Sequence, residues 1–493
     1  MATPKRKTSE RKTARPVLAA HVVEHITLEG QADGNVVALI EGYAQSFGKF
    51  APGISKRLVE LRSGVPLTSI AGSDAADKEI NLLVRRLARS GLLEYRFGPA
   101  RGGQASVVIE PQIADYWPQI SDIADTDTIA LSRFAYLRRR GKEMVLESPR
   151  AGALFRITDP KIAAALVALS QPQKISHYRK ERDFPGLELL GLLVDSQILF
   201  KLKAGDAGGL RPAEGDPNLV LWDFHDLLFH TRSTEGRQAN PLGSGYTYSR
   251  LMSPLPAVRA SWPGHTVDLN GLGSPSPTPF AALLGARQSI RDFDDEHPVK
   301  LTELAVLLQS TARVRAKWTA AADMEDGQGP DVPYASRPYP SAGASYELEL
   351  YLAVHKCEGL ARGFYHYDAE RHALTAIDIR PQDFEAQLYD AELAIDASAA
   401  PQVLIVIAAR FGRVAWKYSS VAYSLILKDV GVLTQTLYLA ATEMGLGGCA
   451  IGINNIDRFS RMTGLEFFVE GPVGQFVLGR GPTTVQDGDP PVG

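Results

Sequence analysis

The stretch from Val421 to Met444 constrains this chain most. It is long, helical in composition and largely apolar, and a helix that is apolar on most sides must be covered on most sides. It therefore lies at the centre of a domain or at an interface between two copies. Ahead of it, Val403 to Ala408 is an unbroken apolar run, as expected for a strand buried on both faces. Glu347 to Val354 alternates like a strand with two different faces. Leu301 to Leu308 reads as a helix with Thr302 as a possible cap, and Phe476 to Leu478 as a final short strand. Helices interleaved with strands imply an α+β sandwich for this part of the chain.

The upstream half reads differently. Helical periodicity runs through Ile54, Leu58 and Leu61, then through Ile80, Leu83, Leu87 and Leu92, with Gly91 placed to stop the second helix. Helix, helix and a strand-rich tail is the pattern of a winged-helix unit. It recurs about a hundred residues on. Leu166 and Leu169 answer Leu58 and Leu61, and Leu193-Val-Asp-Ser-Gln-Ile-Leu-Phe answers Leu87-Ala-Arg-Ser-Gly-Leu-Leu-Glu. Asp159-Pro160 would open the first helix of the second copy. Residues 204–218 and the stretch from Glu235 to Pro279 are rich in Gly, Pro and polar residues and read as linker and wrapping segment.

Bulk properties exclude several classes. A formal net charge of -3 over 493 residues is not that of a protein built to coat nucleic acid. Two distant thiols, Cys357 and Cys449, fit neither a disulfide framework nor a zinc ribbon and point to a reducing compartment, hence the cytoplasm. No apolar run reaches the roughly 18–20 residues that span a bilayer, so no membrane association is expected. The start, Lys5 to Arg15, is basic and polar, reads as a disordered tail, and lacks the apolar core of a secretory signal. His225 and His230 are five apart, which does not align them on one helical face, so no metal site is expected. Asp226 and Arg232 are candidates to fix them structurally.

Four small clusters carry the chemistry. Arg287-Gln-Ser-Ile-Arg291 puts two guanidinium forks around the Ser289 hydroxyl, a set suited to phosphate. Arg337-Pro-Tyr-Pro-Ser-Ala-Gly-Ala-Ser-Tyr346 gathers small residues that let a flat ring approach the backbone, with Gly343 free to take unusual dihedrals. Gly445-Leu-Gly-Gly-Cys-Ala-Ile-Gly452 follows the long helix and can present backbone N–H groups, but lacks the GxGxxG spacing of a Rossmann site. Leu478-Gly-Arg-Gly481 gives Arg480 an uncluttered route to an anion.

In order and spacing these clusters resemble the nitroreductase-like flavoproteins over roughly residues 275–485. The resemblance implies FMN, with Arg287, Ser289, Arg291 and Arg480 holding its phosphate and ribityl chain. Pro340, Ser341 and Gly343 would lie along the isoalloxazine ring, and Gly447 and Gly448 would donate near its reactive edge. Trp416-Lys417-Tyr418 resembles more narrowly the Lys-Tyr pair of the SagB/McbC-type azoline dehydrogenases, which also share the Pro-Tyr-Pro-Ser-x-Gly-Ala segment. The stretch Trp222-Asp-Phe-His-Asp-Leu-Leu-Phe-His also looks like that subfamily. One departure is Val432, where histidine is expected after the glycine. The long-chain members carry winged-helix peptide-clamp domains ahead of the flavin domain. The resemblance thus implies a tail at 1–20, winged-helix-like domains at 21–125 and 126–205, a linker at 206–274, and a nitroreductase-like FMN domain at 275–493.

The activity so implied is oxidation of thiazolines and oxazolines in a ribosomally made precursor peptide, with oxygen as electron acceptor, cyclodehydratase partners and a homodimer with FMN at its interface. Lys417 would serve as base and Tyr418 would orient the substrate or share the proton. A free lysine is protonated at neutral pH, but burial and the positive end of the following helix would lower its pKa. Two alternatives stand beside this. An NAD(P)H-dependent nitroreductase or quinone reductase would share the flavin site but has no need of the long N-terminal half. A flavin-responsive DNA-binding regulator would need a basic recognition helix. Arg85, Arg86 and Arg89 offer one such stripe, which the second copy lacks.

Overall fold

The computed structural model describes residues 16–40, 43–51, 54–70, 74–99, 105–113, 116–178, 186–202, 214, 216–234, 251–259, 261, 263–270, 272, 277–322 and 329–481. The basic tail, most of the 204–218 linker and residues 235–250 fall outside them. The chain divides into two compact units. One comprises residues 1–220, 227–232 and 236–239, and the other residues 221–226, 233–235 and 240–493.

The first unit is built on a seven-stranded antiparallel sheet. Its spatial order is Val65–Pro66, Pro16–Val22, Leu93–Pro99, Val107–Pro111, Ala153–Ile157, Glu143–Glu147 and Tyr136–Arg140. Strands from both expected N-terminal domains thus join one sheet. The internal repeat is visible in strand order. In the first half Pro16–Val22 lies between Val65–Pro66, which follows a helix, and Leu93–Pro99, which follows the next. In the second half Thr128–Leu131 lies likewise between Gln173–Lys174 and Leu199–Lys201. The paired leucines Leu58, Leu61, Leu166 and Leu169 are all buried in one core. Local signals explain the helix ends. Asp159 accepts from the Lys161 N–H at 2.9 Å to cap Pro160–Ala168, and Gly91 takes φ 68 just past Ala75–Arg89.

The second unit centres on a six-stranded antiparallel sheet, in the order Ala373–Ile377, Gly363–Asp368, Leu348–Val354, Val403–Arg410, Glu470–Arg480 and Leu446–Ile451. Val403 to Ala409 is buried throughout, because both faces are covered. Leu404 and Val406 pack with Phe384 and Leu388 of the helix Pro381–Ile395 and Phe459 of the helix Ile456–Thr463. On the other face lies the long helix, Ala422–Glu443, whose Tyr438 ring meets Phe476 edge-on at 5.0 Å.

That helix is only partly covered by its own chain. Ala422, Ile426, Asp429, Leu433, Leu437 and Ala441 form a single buried stripe, while Ser424, Lys428, Gly431 and Gln435 form an exposed one. One chain therefore leaves a stripe of the helix uncovered. The last strand is much longer than expected, Glu470–Arg480. Thr302 is not a cap. The helix Leu301–Thr311 begins after Lys300, whose N–H is taken by the Glu303 carboxylate at 2.9 Å. No helix among the described residues is long and apolar enough to cross a membrane.

Candidate functional site

The sequence-derived residues fall into two groups, each built against the helix Ala422–Glu443. The first forms where the segment after the helix Pro279–Ala286 runs along the edge strand Leu446–Ile451. The Ile290 N–H donates to the Gly448 carbonyl at 2.9 Å, and the Asp294 N–H to the Arg480 carbonyl at 3.0 Å. Glycine is required here for closeness. A β-carbon on Gly447 would stand 2.6 Å from the Ile290 side chain, and one on Gly448 would stand 2.4 Å from the Phe476 ring. Gly447 and Gly448 are thus part of a strand, pressed between neighbours, rather than of an open loop.

Tyr438 organises this group. Its hydroxyl accepts the Ala450 N–H at 2.8 Å and lies 3.0 Å from the Ser289 hydroxyl. The Arg287 guanidinium sits 5.2 Å from the centre of its ring, a cation–π arrangement. Neither Arg287 nor Arg291 has a carboxylate partner among the described residues. A guanidinium without a carboxylate partner beside Tyr438, whose hydroxyl meets that of Ser289, fits part of the donor set of a phosphate ester, and Arg291 follows two residues on in the same segment. Arg480 is placed differently. Its Nη2 is 2.5 Å from the Glu303 carboxylate and its Nε is 3.3 Å from the His297 carbonyl, so an anion there would have to share it.

The second group surrounds the turn from Pro340 to Tyr346. Gly343, Ala344 and Tyr346 all adopt left-handed backbone, with φ 58, 55 and 44. For a residue with a β-carbon that conformation costs on the order of 1 kcal/mol or more. Three anchors hold the turn. Arg413 donates to the Ser345 carbonyl through Nε and Nη2, at 3.1 and 3.0 Å. The Ala342 N–H donates to Asp429 Oδ2 at 2.9 Å. The Ser341 hydroxyl accepts from the Tyr346 N–H at 2.9 Å, and lies 3.0 Å from Asp429 Oδ2 and 3.2 Å from Glu347 Oε2. Glu347 is fully buried, and desolvation, reinforced by the neighbouring Asp429 charge, lifts its carboxyl well above the usual range. Pro340 lies on this same turn.

Lys417 and Tyr418 come to the turn from outside, just after the short helix Gly412–Ala415. A β-carbon on Gly343 would stand 2.5 Å from the Tyr418 hydroxyl and 2.9 Å from Lys417 Nζ. Lys417 Nζ also lies 5.4 Å from the Tyr418 ring centre. Lys417 is exposed, so the burial expected for it is not provided by this chain's own residues. Beside this group opens a cavity of about 760 Å³, lined among others by Tyr334, Arg337, Glu349, His366, Arg410 and Arg413. Its basic side chains gather on Glu349, with Arg337 at 3.7 Å, Arg410 at 3.6 Å and His366 at 3.7 Å. The Glu349 carboxylate raises the pKa of His366.

Sequence reasoning missed Tyr438, Glu347 and Asp429. Tyr438 was hidden among the apolar residues of the long helix, and Glu347 in a strand-like alternation. A tyrosine and an aspartate inside an otherwise apolar helix were the available signals, because buried polar groups need partners.

The other candidates resolve as structural features. His225 pairs with Asp223, at 3.2 Å, and is exposed, whereas His230 is buried. Asp226 accepts from the Tyr423 N–H at 3.2 Å, at the start of the long helix, and Arg232 binds Glu147 at 2.9 Å. Trp222 donates to the Phe468 carbonyl at 2.7 Å and packs 4.7 Å from Phe411. No group of three or more His, Cys, Asp or Glu suited to a metal occurs among the described residues. Of the basic stripe, the Arg85 guanidinium lies 4.1 Å over Trp117, and Arg86 donates to the Phe47 carbonyl.

Comparison with known proteins gives two family matches. The nitroreductase family profile matches residues 284–480 and the cyanobactin oxidase ThcOx profile matches residues 129–239. A nitroreductase-family protein of Methanocaldococcus jannaschii is 30% identical over 170 residues, which is 34% of this chain and 76% of the relative. Among solved structures, a nitroreductase of Ralstonia eutropha is 23% identical, covering 43% of this chain and 87% of its own, with a TM-score of 0.30. A chain of the Escherichia coli microcin synthetase McbBCD complex, solved with truncated pro-MccB17 bound, is 17% identical. That match covers 57% of this chain and 100% of the other, with a TM-score of 0.37.

Proposed function

This chain belongs to the nitroreductase family, a family of flavoprotein oxidoreductases, and from that premise we propose that it is an FMN-dependent azoline oxidase. It would convert thiazoline and oxazoline rings of a ribosomally synthesised peptide to thiazoles and oxazoles. The observation that carries this reading is the convergence of Lys417 and Tyr418 on Gly343, at the turn whose small residues suit a flat ring. The cyanobactin oxidase match ahead of the flavin domain supports it, since a reductase of small molecules has no need of such a segment.

Arg287, Arg291 and Ser289 would hold the FMN phosphate, with Arg480 sharing its charge between that phosphate and Glu303. Pro340, Ser341 and Gly343 would flank the ring, and Gly447 and Gly448 would border it. Bound FMN supplies the hydride acceptor. Aromatising an azoline also releases a proton, and Lys417 takes it while Tyr418 orients the ring that gives it up. Lys417 must be neutral to do so. As it is exposed in the single chain, the desolvation has to come from the substrate or from a second copy. A nearby positively charged helix start acts in the same direction. General-base help of this kind is typically worth about 10²–10⁴ in rate. The cavity lined by Ser345 and Tyr346 of the turn has the volume of a ligand pocket and would take the flanking peptide.

A homodimer fits this arrangement. Asp429 touches the turn and Tyr438 the guanidinium cluster, and side chains nine positions apart on a helix point about half a turn away from each other. One cofactor would reach both groups most simply if each chain contributed one of them. Oxygen as electron acceptor and cyclodehydratase proteins as partners complete the proposal.

The test is to incubate the purified full-length protein with an azoline-bearing peptide and no added reductant. Loss of two hydrogens per ring by mass spectrometry is expected. No mass loss, together with rapid NADH oxidation, would instead favour a nitroreductase or quinone reductase.

A further inference from the structure

Ser341 Oγ has three polar neighbours but only one hydrogen. The Tyr346 N–H points at it from 2.9 Å and uses one lone pair. The hydroxyl hydrogen can satisfy one of the two carboxyl oxygens, Asp429 Oδ2 at 3.0 Å or Glu347 Oε2 at 3.2 Å. The other oxygen must bring a hydrogen of its own, or a charged oxygen would face a lone pair in a buried site. Asp429 Oδ2 already accepts the Ala342 N–H at 2.9 Å, which suits a charged acceptor. Glu347 is 0% exposed, and its second oxygen, Oε1, has no hydrogen-bond partner. A neutral acid tolerates that far better than a carboxylate does.

We infer that Glu347 is a protonated positioning residue, donating to Ser341, which donates in turn to Asp429. Through this chain it clamps the strained turn against Lys417 and Tyr418. The geometry gives the clamp its purpose. Three left-handed residues within four positions do not hold themselves, and the same turn presents Gly343 to both site residues. The burial that raises the Glu347 pKa acts in the same direction. The ionisable groups facing Glu347 are Asp429 from the long helix, Tyr339 from the segment before the turn, and Arg413 from the short helix. Asp429 favours the neutral acid, while Arg413 opposes it and is itself spent on the Ser345 carbonyl. When Glu347 ionises, its proton passes to solvent. The Ser341 contact then becomes repulsive and the turn loosens, so activity falls as pH rises. The inference deepens the azoline oxidase reading and rests on it for its catalytic consequence.

The test uses the flavin-loaded full-length protein with Glu347→Gln and Glu347→Ala. The glutamine amide can donate to Ser341 as the neutral acid does, and alanine cannot. Infrared difference spectra across a pH titration should show a protonated-carboxyl carbonyl band in the wild type that persists above the ordinary carboxyl range and is missing in both variants. Glu347→Gln should oxidise azolines at close to the wild-type rate and lose the alkaline fall in the pH–rate profile. Glu347→Ala should lose at least about tenfold, equivalent to one hydrogen bond of this kind. Absence of the band, or equal activity and pH profile in the two variants, overturns the inference. A wild type that has the band but oxidises no azoline overturns the proposed reaction and leaves the proton assignment intact.

Discussion

Gly343 and Tyr418 are so close that a β-carbon on the glycine would stand 2.5 Å from the tyrosine hydroxyl. The backbone of Gly343 is also left-handed, at φ 58. Gly343→Ala therefore meets two penalties of different kinds. The backbone strain, on the order of 1 kcal/mol, lowers stability slightly, and shifts the melting temperature by only about 2–4 °C in a domain of this size. The close contacts are the far ends of flexible side chains, which can move aside. The expected result is a large loss of turnover with a small loss of stability, read by kinetics alongside calorimetry. Unchanged turnover would separate Gly343 from the reacting groups.

Lys417→Ala should retain the yellow bound cofactor and lose about 10²–10⁴ in azoline oxidation. Because Lys417 is exposed, its removal should move stability by no more than about 0.5 kcal/mol. The flavin absorbance spectrum and a thermal melt check both points. A protein that comes out colourless would reassign Lys417 to cofactor binding.

Arg287→Ala should weaken FMN binding about 10- to 100-fold, since a hydrogen bond to a charged group is worth roughly 1.5–3 kcal/mol. The effect should shrink with added salt. Quenching of flavin fluorescence on titration gives the affinity directly, and Glu303→Gln should go the other way by releasing Arg480 for the anion.

Burial and the nearby Arg96 lower the pKa of His21 from 6.5 to about 4. The folded form thus resists the proton that the unfolded chain accepts. Its contribution is fully present above pH 6.5 and is lost as pH falls through about 4. Melting of the N-terminal unit should drop across that window more steeply in the wild type than in His21→Gln. Parallel curves would show that other groups govern acid sensitivity.

Trp222→Ala should destabilise the C-terminal unit by about 3–5 kcal/mol, the range for a buried aromatic. The indole packs 4.7 Å from Phe411 and donates to the Phe468 carbonyl. Denaturant unfolding followed by flavin release would detect the loss.

The sequence by itself determined the pattern of elements in the flavin domain and the short motifs. Apolar periodicity marks Ala422–Glu443 and Val403–Arg410 because burial demands it locally. Arg287, Ser289, Gly343, Lys417 and Tyr418 stand out in the sequence as candidates because each lies in a run of a few residues whose chemistry is unusual. Tertiary structure alone decided which distant residues meet. Ser289 and Tyr438 are separated by 149 positions and Ser341 and Asp429 by 88, and no local pattern encodes such contacts. It also decided that Arg480 faces Glu303, that the chain leaves a stripe of the long helix uncovered, and that two carboxyl groups share one serine hydroxyl. The physical reason is that protonation and partnership depend on burial and on the count of donors around each atom, and both exist only once the chain has folded.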